Sequence, residues 1–241
     1  MNENHKTAIV TGASSGIGLG ITQALLDRGY RVVANSRRIS RAGTLRASES
    51  LVLVDGDVSQ SETGAELVDT AVRNFGSVSL LVNNAGVFIP KPFTEYTEQD
   101  FQTLLDTNLA GFFRLTQPAV AQMISQKSGH IVNISTTLAV QPLAAVPAAL
   151  PILTKGGLNA ITRALAIELA GQGIRVNAIG AGIIDTPMHD PANHEFLKTL
   201  HPIQRLGEVS EIAEAVIYLT EASFVSGEVL HVDGGAHAGR W

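Results

Sequence analysis

The chain has 241 residues and a formal net charge of −5, from 17 Lys and Arg against 22 Asp and Glu, and it contains no cysteine. The missing thiols exclude disulfides, thiolate nucleophiles and cysteine-based metal or iron–sulfur centres, and the acidic balance provides no general attraction to nucleic-acid phosphates. With 45% hydrophobic and 16% charged residues, the composition is globular, with a sparsely charged surface or with surface hidden between subunits.

The first six residues, Met1-Asn2-Glu3-Asn4-His5-Lys6, are polar and have no signal-peptide apolar core. Seven short apolar runs follow, at residues 7–10, 31–34, 51–54, 79–82, 130–134, 174–179 and 229–232. Most lack polar alternation, as strands buried on both faces do. Between them lie helical stripes: Ile17, Ile21, Ala24 and Leu25; then Phe101, Leu104, Leu105, Leu109 and Phe112; then Leu158, Ile161, Leu165 and Leu169. This alternation predicts a three-layer α/β fold, a doubly wound parallel sheet with helices on both faces. The second crossover, residues 36–50, is short and predicts a small helix. The longest apolar stretch, residues 138–153, is interrupted by Gln141, Pro142, Pro147 and Pro151 and is too short to span a bilayer. The expectation is one domain over residues 1–241, cytoplasmic and not membrane-bound.

The first run leads directly into Thr11-Gly12-Ala13-Ser14-Ser15-Gly16-Ile17-Gly18, and a helical stripe follows. Glycines at this spacing allow a tight turn and close approach to a pyrophosphate, while the helix N-terminus offers N–H groups and a positive dipole. Gly12, Ser14, Ser15, Gly16, Ile17 and Gly18 are therefore predicted to hold a dinucleotide. The second run ends Ala34-Asn35-Ser36-Arg37-Arg38, and residues 31–46 hold five arginines and no acid. An enzyme that selects NAD usually places Asp or Glu here, against the ribose 2′-OH. Guanidinium forks instead suit a 2′-phosphate, so Ser36, Arg37 and Arg38 predict NADP (NADPH). No HExxH pattern or close carboxylate cluster indicates a metal.

These motifs, with Asp57-Val58, Asn83-Asn84-Ala85-Gly86, Asp106-Thr107-Asn108-Leu109-Ala110-Gly111, Ile174-Arg175-Val176-Asn177 and Val232-Asp233-Gly234-Gly235, resemble those of the short-chain dehydrogenase/reductases over nearly the whole chain. The resemblance implies a seven-stranded Rossmann fold, usually a homotetramer, or otherwise a homodimer. It implies cofactor contacts from Asp57 and Val58 to adenine and from Asn84, Ala85 and Gly86 beside the ribose. It also implies contacts to the nicotinamide from Gly182, Ile184 and Thr186, and from Lys155 to its ribose.

The family moves a hydride between nicotinamide and a carbonyl or alcohol, with Tyr as proton carrier, Lys four residues later, a Ser or Thr, and an Asn. Here the resemblance assigns Lys155, Thr136 and Asn108 as catalytic, with Ser135 and Thr137 flanking Thr136. Pro151, without a proton to give, stands where the Tyr is expected. Substitute donors are the Lys155 ammonium, a water held by Asn108 and Thr136, or one of His189, His194 and His201. The expected function is NADP(H)-dependent oxidoreduction of a small or lipid-like carbonyl or alcohol. The alternative is an NADP-binding pseudoenzyme acting as a cofactor sensor or partner subunit. Residues 187–206 are expected to form a substrate lid with a helix near 194–200.

Overall fold

The computed structural model describes residues 6–239; the polar residues 1–5 of the N-terminal reading lie outside them. The chain runs β1 (Thr7–Thr11), α1 (Gly16–Asp27), β2 (Arg31–Ser36), α2 (Ile39–Ala42), β3 (Leu51–Asp55), α3 (Ser61–Phe75) and β4 (Leu80–Asn83). It continues α4 (Glu98–Leu104), a π-helical turn (Leu105–Ala110), α5 (Gly111–Gln126), β5 (Gly129–Thr136), α6 (Ala149–Glu168) and β6 (Ile174–Ala181). The last elements are α7 (His194–Lys198), α8 (Val209–Glu221) and β7 (Val229–Val232).

All seven apolar runs become strands of one parallel sheet, ordered β3-β2-β1-β4-β5-β6-β7. Strand alternation divides the core. Ala8 and Val10 pack with Ile21 and Leu25 of α1 and with Ile212 and Val216 of α8 on one face. Ile9 and Val33 pack with Leu67 of α3 and with Leu115 and Met123 of α5 on the other. Both faces are covered, so the strands need no polar side.

The strand order reverses between β1 and β4, so crossovers leave the sheet on opposite sides there. In such sheets a crevice opens outside the carboxyl ends of the strands. The short second crossover carries only the four-residue α2, as the sequence predicts. The stripe from Phe101 to Phe112 is not one helix. A π turn interrupts it, with the Gly111 N–H bonding the Asp106 carbonyl, and the extra residue per turn directs Asn108 inward, 2% exposed.

A buried polar ladder ties the layers together. Asn83 Nδ2 donates to Thr116 Oγ1 of α5 (3.0 Å) and to Asn133 Oδ1 of β5 (2.9 Å), and Asn133 Nδ2 donates to Thr162 Oγ1 of α6 (2.9 Å). Among the described residues no helix is long and apolar enough to cross a membrane, and no group of three or more His, Asp or Glu could hold a metal ion.

His130, on β5, is also buried. Its Nε2 faces Asn177 Nδ2 at 3.0 Å, and its Nδ1 has no partner. Burial, assisted by the Arg175 charge, holds its pKa down to about 3 against an ordinary 6.5. The unfolded chain therefore binds one more proton between those values, and stability rises with pH through that window. Urea unfolding should lose up to about 1.4 kcal/mol per pH unit from this group below pH 6.5, and His130→Gln should flatten that part of the profile.

Candidate functional site

The crevice is a cavity of about 890 Å³ at the carboxyl ends of β1, β2, β4, β5 and β6. Its floor is the turn after β1. Gly12 (φ +65°) and Gly16 (φ +51°) take left-handed backbone there, which a side chain resists. A Cβ on Gly18 would stand 2.3 Å from the Gly12 carbonyl oxygen and 2.5 Å from Asn84 Nδ2, so Gly18 lets α1 press onto the turn. Thr11 joins this turn to the one after β4: its Oγ1 accepts from the N–H groups of Asn84 (3.1 Å) and Ala85 (3.0 Å), and Asn84 Nδ2 donates to the Thr11 carbonyl (2.8 Å).

Helix α1 leaves its N-terminus unneutralised. Ser15 occupies the cap without a side-chain hydrogen bond, and the first turn has no acid. Ser14, Ser15, Gly16 and Ile17 face the cavity, so the free N–H groups and helix dipole provide an anion site. Arg37 and Arg38 stand beside it, exposed and without an ion pair among the described residues. The carboxylate in register with Ser36 is Asp55, and it is turned away, accepting from the Ser40 backbone N–H (2.9 Å) and Oγ (2.5 Å). A phosphate-bearing group suits these donors. Ser36, Asp57 and Val58 complete this end.

At the other end, strand alternation sends three adjacent hydroxyls to different partners. Ser135 Oγ donates to the Lys155 carbonyl (3.1 Å), and Thr137 Oγ1 donates to Asp233 Oδ2 (2.5 Å). Among the described residues Thr136 Oγ1 only accepts, from the Leu138 N–H (3.3 Å), so its own proton remains available on the cavity wall. Lys155 lies under Gly86. Its Nζ donates to the Ile134 carbonyl (2.7 Å) and stands 3.0 Å from where a Gly86 Cβ would be. Burial lowers its pKa to about 8, so it is cationic at neutral pH.

The cavity wall includes every predicted cofactor residue except Gly18, which supports the turn from beneath. Asn108 lies behind the wall, lining a neighbouring void of only about 10 Å³. Its amide is already committed: Nδ2 donates to the Val87 carbonyl and to Thr154 Oγ1 (3.0 Å each), and Oδ1 accepts from the Val87 N–H (2.9 Å). The expectation that its side chain anchors a water thus meets a side chain whose hydrogen bonds go to protein groups. Pro151 is buried in the first turn of α6 and is absent from the cavity wall.

The three histidines separate. His201, 2% exposed, uses both ring nitrogens: Nε2 accepts from the Ile183 N–H (2.9 Å), and Nδ1 donates to the Arg205 carbonyl (2.8 Å). It is a neutral brace. His194 is on α7, its Nε2 sealed from solvent and 3.8 Å from Asp185 Oδ1. His189 lines the cavity. Sequence reasoning missed the braces of Thr11, Asn35 and Asp233. Asn35 Nδ2 ties the carbonyls of Val54 (3.1 Å) and Gly56 (3.0 Å) to the wall, and Thr137 meets Asp233 across 96 positions, a pairing that spacing does not reveal.

Comparison with known proteins agrees with this geometry. The family described as enoyl-(acyl carrier protein) reductase matches residues 12–237. The chain is 36% identical to the putative ketoacyl reductase 2 of the granaticin polyketide synthase of Streptomyces violaceoruber, over 95% of each chain. It is 34% identical to a 3-oxoacyl-[acyl-carrier-protein] reductase of Staphylococcus aureus, over 96% of this chain and 98% of that one. Among solved structures it superposes on ElxO with NADP bound at a TM-score of 0.90 and 28% identity, covering 98% of this chain and 100% of that one. The 3-ketoacyl-(acyl-carrier-protein) reductase of Brucella melitensis, complexed with NADH, gives 0.87 and 29%, with the same coverage.

The turn geometry is open to test. Gly18→Ala places a methyl against backbone and should cost about 1–3 kcal/mol in urea unfolding, while Gly171→Ala, with nothing within 4 Å of the added Cβ, should change stability by less than about 0.5 kcal/mol.

Proposed function

The chain belongs to the short-chain dehydrogenase/reductase family, and from that premise we propose that it is an NADP(H)-dependent reductase of an uncharged, lipid-like carbonyl, with a 3-oxoacyl thioester as the substrate class. One observation carries this reading: a single cavity holds the uncapped α1 terminus and two guanidiniums without an ion pair among the described residues at one end, and the Thr136 hydroxyl with Lys155 at the other. The substrate class is supported by the relatives named above and by the wall itself, where Leu138, Leu143, Val146, Met188, Leu197 and Leu200 are apolar. Residues 187–206, with α7 inside them, supply part of that wall as a lid.

Bound there, NADPH supplies a hydride for the carbonyl carbon. The α1 N–H groups neutralise its diphosphate, and Ser36, Arg37 and Arg38 bind the 2′-phosphate. Thr136 donates its free proton as a hydrogen bond to the carbonyl oxygen and so fixes the reacting carbon. Lys155 has two N–H groups beyond the one spent on Ile134, and these hold the nicotinamide ribose while its charge stabilises the developing alkoxide. Asn108 keeps Val87 and Thr154 in place, a positioning role. Phe113 on α5 and Leu153 and Ile167 on α6 are 58%, 57% and 83% exposed, which supports the homotetramer that the family implies.

One observation favours a second reading. Pro151, four residues before Lys155, contributes no proton and no cavity surface, as expected of a subunit that binds NADP without turnover. The two readings separate on acetoacetyl-N-acetylcysteamine with NADPH. The reductase reading expects turnover by the native chain and its loss in Lys155→Ala; turnover only in Pro151→Tyr assigns the native chain to the second reading. Independently, Arg37→Ala should weaken NADPH binding roughly 10- to 100-fold, the loss of a charge-assisted hydrogen bond. Calorimetry should find NADH binding unchanged within about twofold; equal losses for both coenzymes would refute the phosphate assignment.

A further inference from the structure

We propose that His189 is the acid that delivers a proton to the substrate oxygen, the task that the side chain at position 151 lacks the chemistry to perform. The proposal rests on the reductase reading above and names its missing proton source.

The cavity wall holds few titratable side chains. Arg37, Arg38 and Asp57 belong to the end built by α1, β2 and the turn after β3, leaving Lys155, His189 and His201. His201 has no nitrogen to offer, since Ile183 and Arg205 take both. Lys155 is 9% exposed, with Nζ drawn down to the Ile134 carbonyl beneath Gly86. Giving up its proton would remove the one buried cation at this end of the cavity. Thr136 can orient an oxygen, but an aliphatic hydroxyl, unlike a phenol, is too weak an acid to yield its proton.

His189 differs from all of these. It stands in the loop leaving β6, the strand that pairs with β5 at Thr136 and Ala181. A tight turn fixes its backbone: the His189 N–H bonds the Thr186 carbonyl at 3.0 Å, with Pro187 as the second residue of the turn. Its ring is half-buried on the cavity wall, and among the described residues neither nitrogen has a protein partner or is sealed from solvent. The ring nitrogens are thus free to meet a ligand in the cavity and to exchange protons with water.

The step balances. The carbonyl carbon gains the hydride from the reduced nicotinamide coenzyme, and the C=O π pair moves to oxygen. That oxygen takes the ring proton of His189, which becomes neutral imidazole and recovers a proton from solvent. In alcohol oxidation the same ring, neutral, accepts the hydroxyl proton.

Two charged neighbours tune it. Burial, then the like charge of His194, lowers the His189 pKa from 6.5, and the Asp185 carboxylate opposes them. A histidine acid below 6.5 and a lysine acid near 8 predict different pH profiles. The test follows reduction of acetoacetyl-N-acetylcysteamine by NADPH from pH 5 to 9.

The native chain should show kcat/KM falling as pH rises through a pKa below 6.5, and the His189 ring protons should titrate there by NMR in the free chain. His189→Gln should lower kcat roughly 10²- to 10⁴-fold and erase that limb, with the heat of NADPH binding and the unfolding midpoint unchanged. His194→Gln should move the limb to higher pH. A native-like kcat in His189→Gln, or a native limb near 8 that survives it, overturns the proposal and leaves the reductase reading standing. A native chain that binds NADPH yet reduces no probe overturns both.

Discussion

The site depends on one close contact, the seating of α1 on the turn that follows β1. Gly18 brings the helix to within a Cβ's width of the Gly12 carbonyl, and Thr11 fastens the same turn to Asn84 and Ala85. These contacts fix where the helix begins, and so where its unpaired N–H groups point. An anion site built from backbone has no side chain to move when a ligand arrives, so its geometry is set by folding itself. The sheet supplies the rest: the reversal of strand order at β1 and β4 opens the crevice that this turn floors.

From that floor, the division of labour follows from strand and helix periodicity. Successive residues of β5 face opposite sides, so Ser135 braces α6 and Thr136 keeps a free proton in the cavity. Thr137, just past the strand, locks to Asp233. Each neighbour of Thr136 is spent on structure. The same holds around Lys155, where Asn108 is absorbed in holding Val87 and Thr154. The π turn that aims Asn108 inward thus lets its amide hold Val87 and Thr154, beside Gly86 and Lys155.

Much of this was legible in the sequence. Short apolar runs marked all seven strands, and most lack polar alternation because a strand covered on both faces has no reason to alternate. The phosphate turn was legible because only glycine suits its backbone, and the missing acid after β2 because its replacement by arginines reverses the local charge. What the sequence hid were contacts between distant positions. Gly18 was read as part of the dinucleotide turn, and the fold shows in addition that it lets α1 press onto the Gly12 carbonyl. Asn108 was assigned by the resemblance, and its side-chain amide bonds neighbours that only the fold brings near. His189, His194 and His201 looked equivalent as three histidines in one loop. Tertiary contacts make one a brace, bury the Nε2 of the one that begins α7 and leave one open.

Proline at position 151 is compatible with everything except proton transfer. It lies in the first turn of α6, where backbone N–H groups have no helical partner, so the helix loses no hydrogen bond and Lys155 keeps its place. Its ring is buried away from the cavity, so neither the anion site nor the hydroxyl of Thr136 depends on it. The proline side chain carries no proton to give, so on the proposed reading the proton comes from a residue of the cavity wall. Two ionisable groups besides the braced His201 remain on the cavity wall away from the α1 end, and their surroundings push them apart: burial brings Lys155 to about 8, and burial with His194 takes His189 below 6.5. At neutral pH the first is a standing cation and the second a largely neutral ring. That separation suits one group to holding charge and the other to exchanging protons, and it makes the neutral histidine a base for alcohol oxidation at pH 7 and an acid for carbonyl reduction as the pH falls.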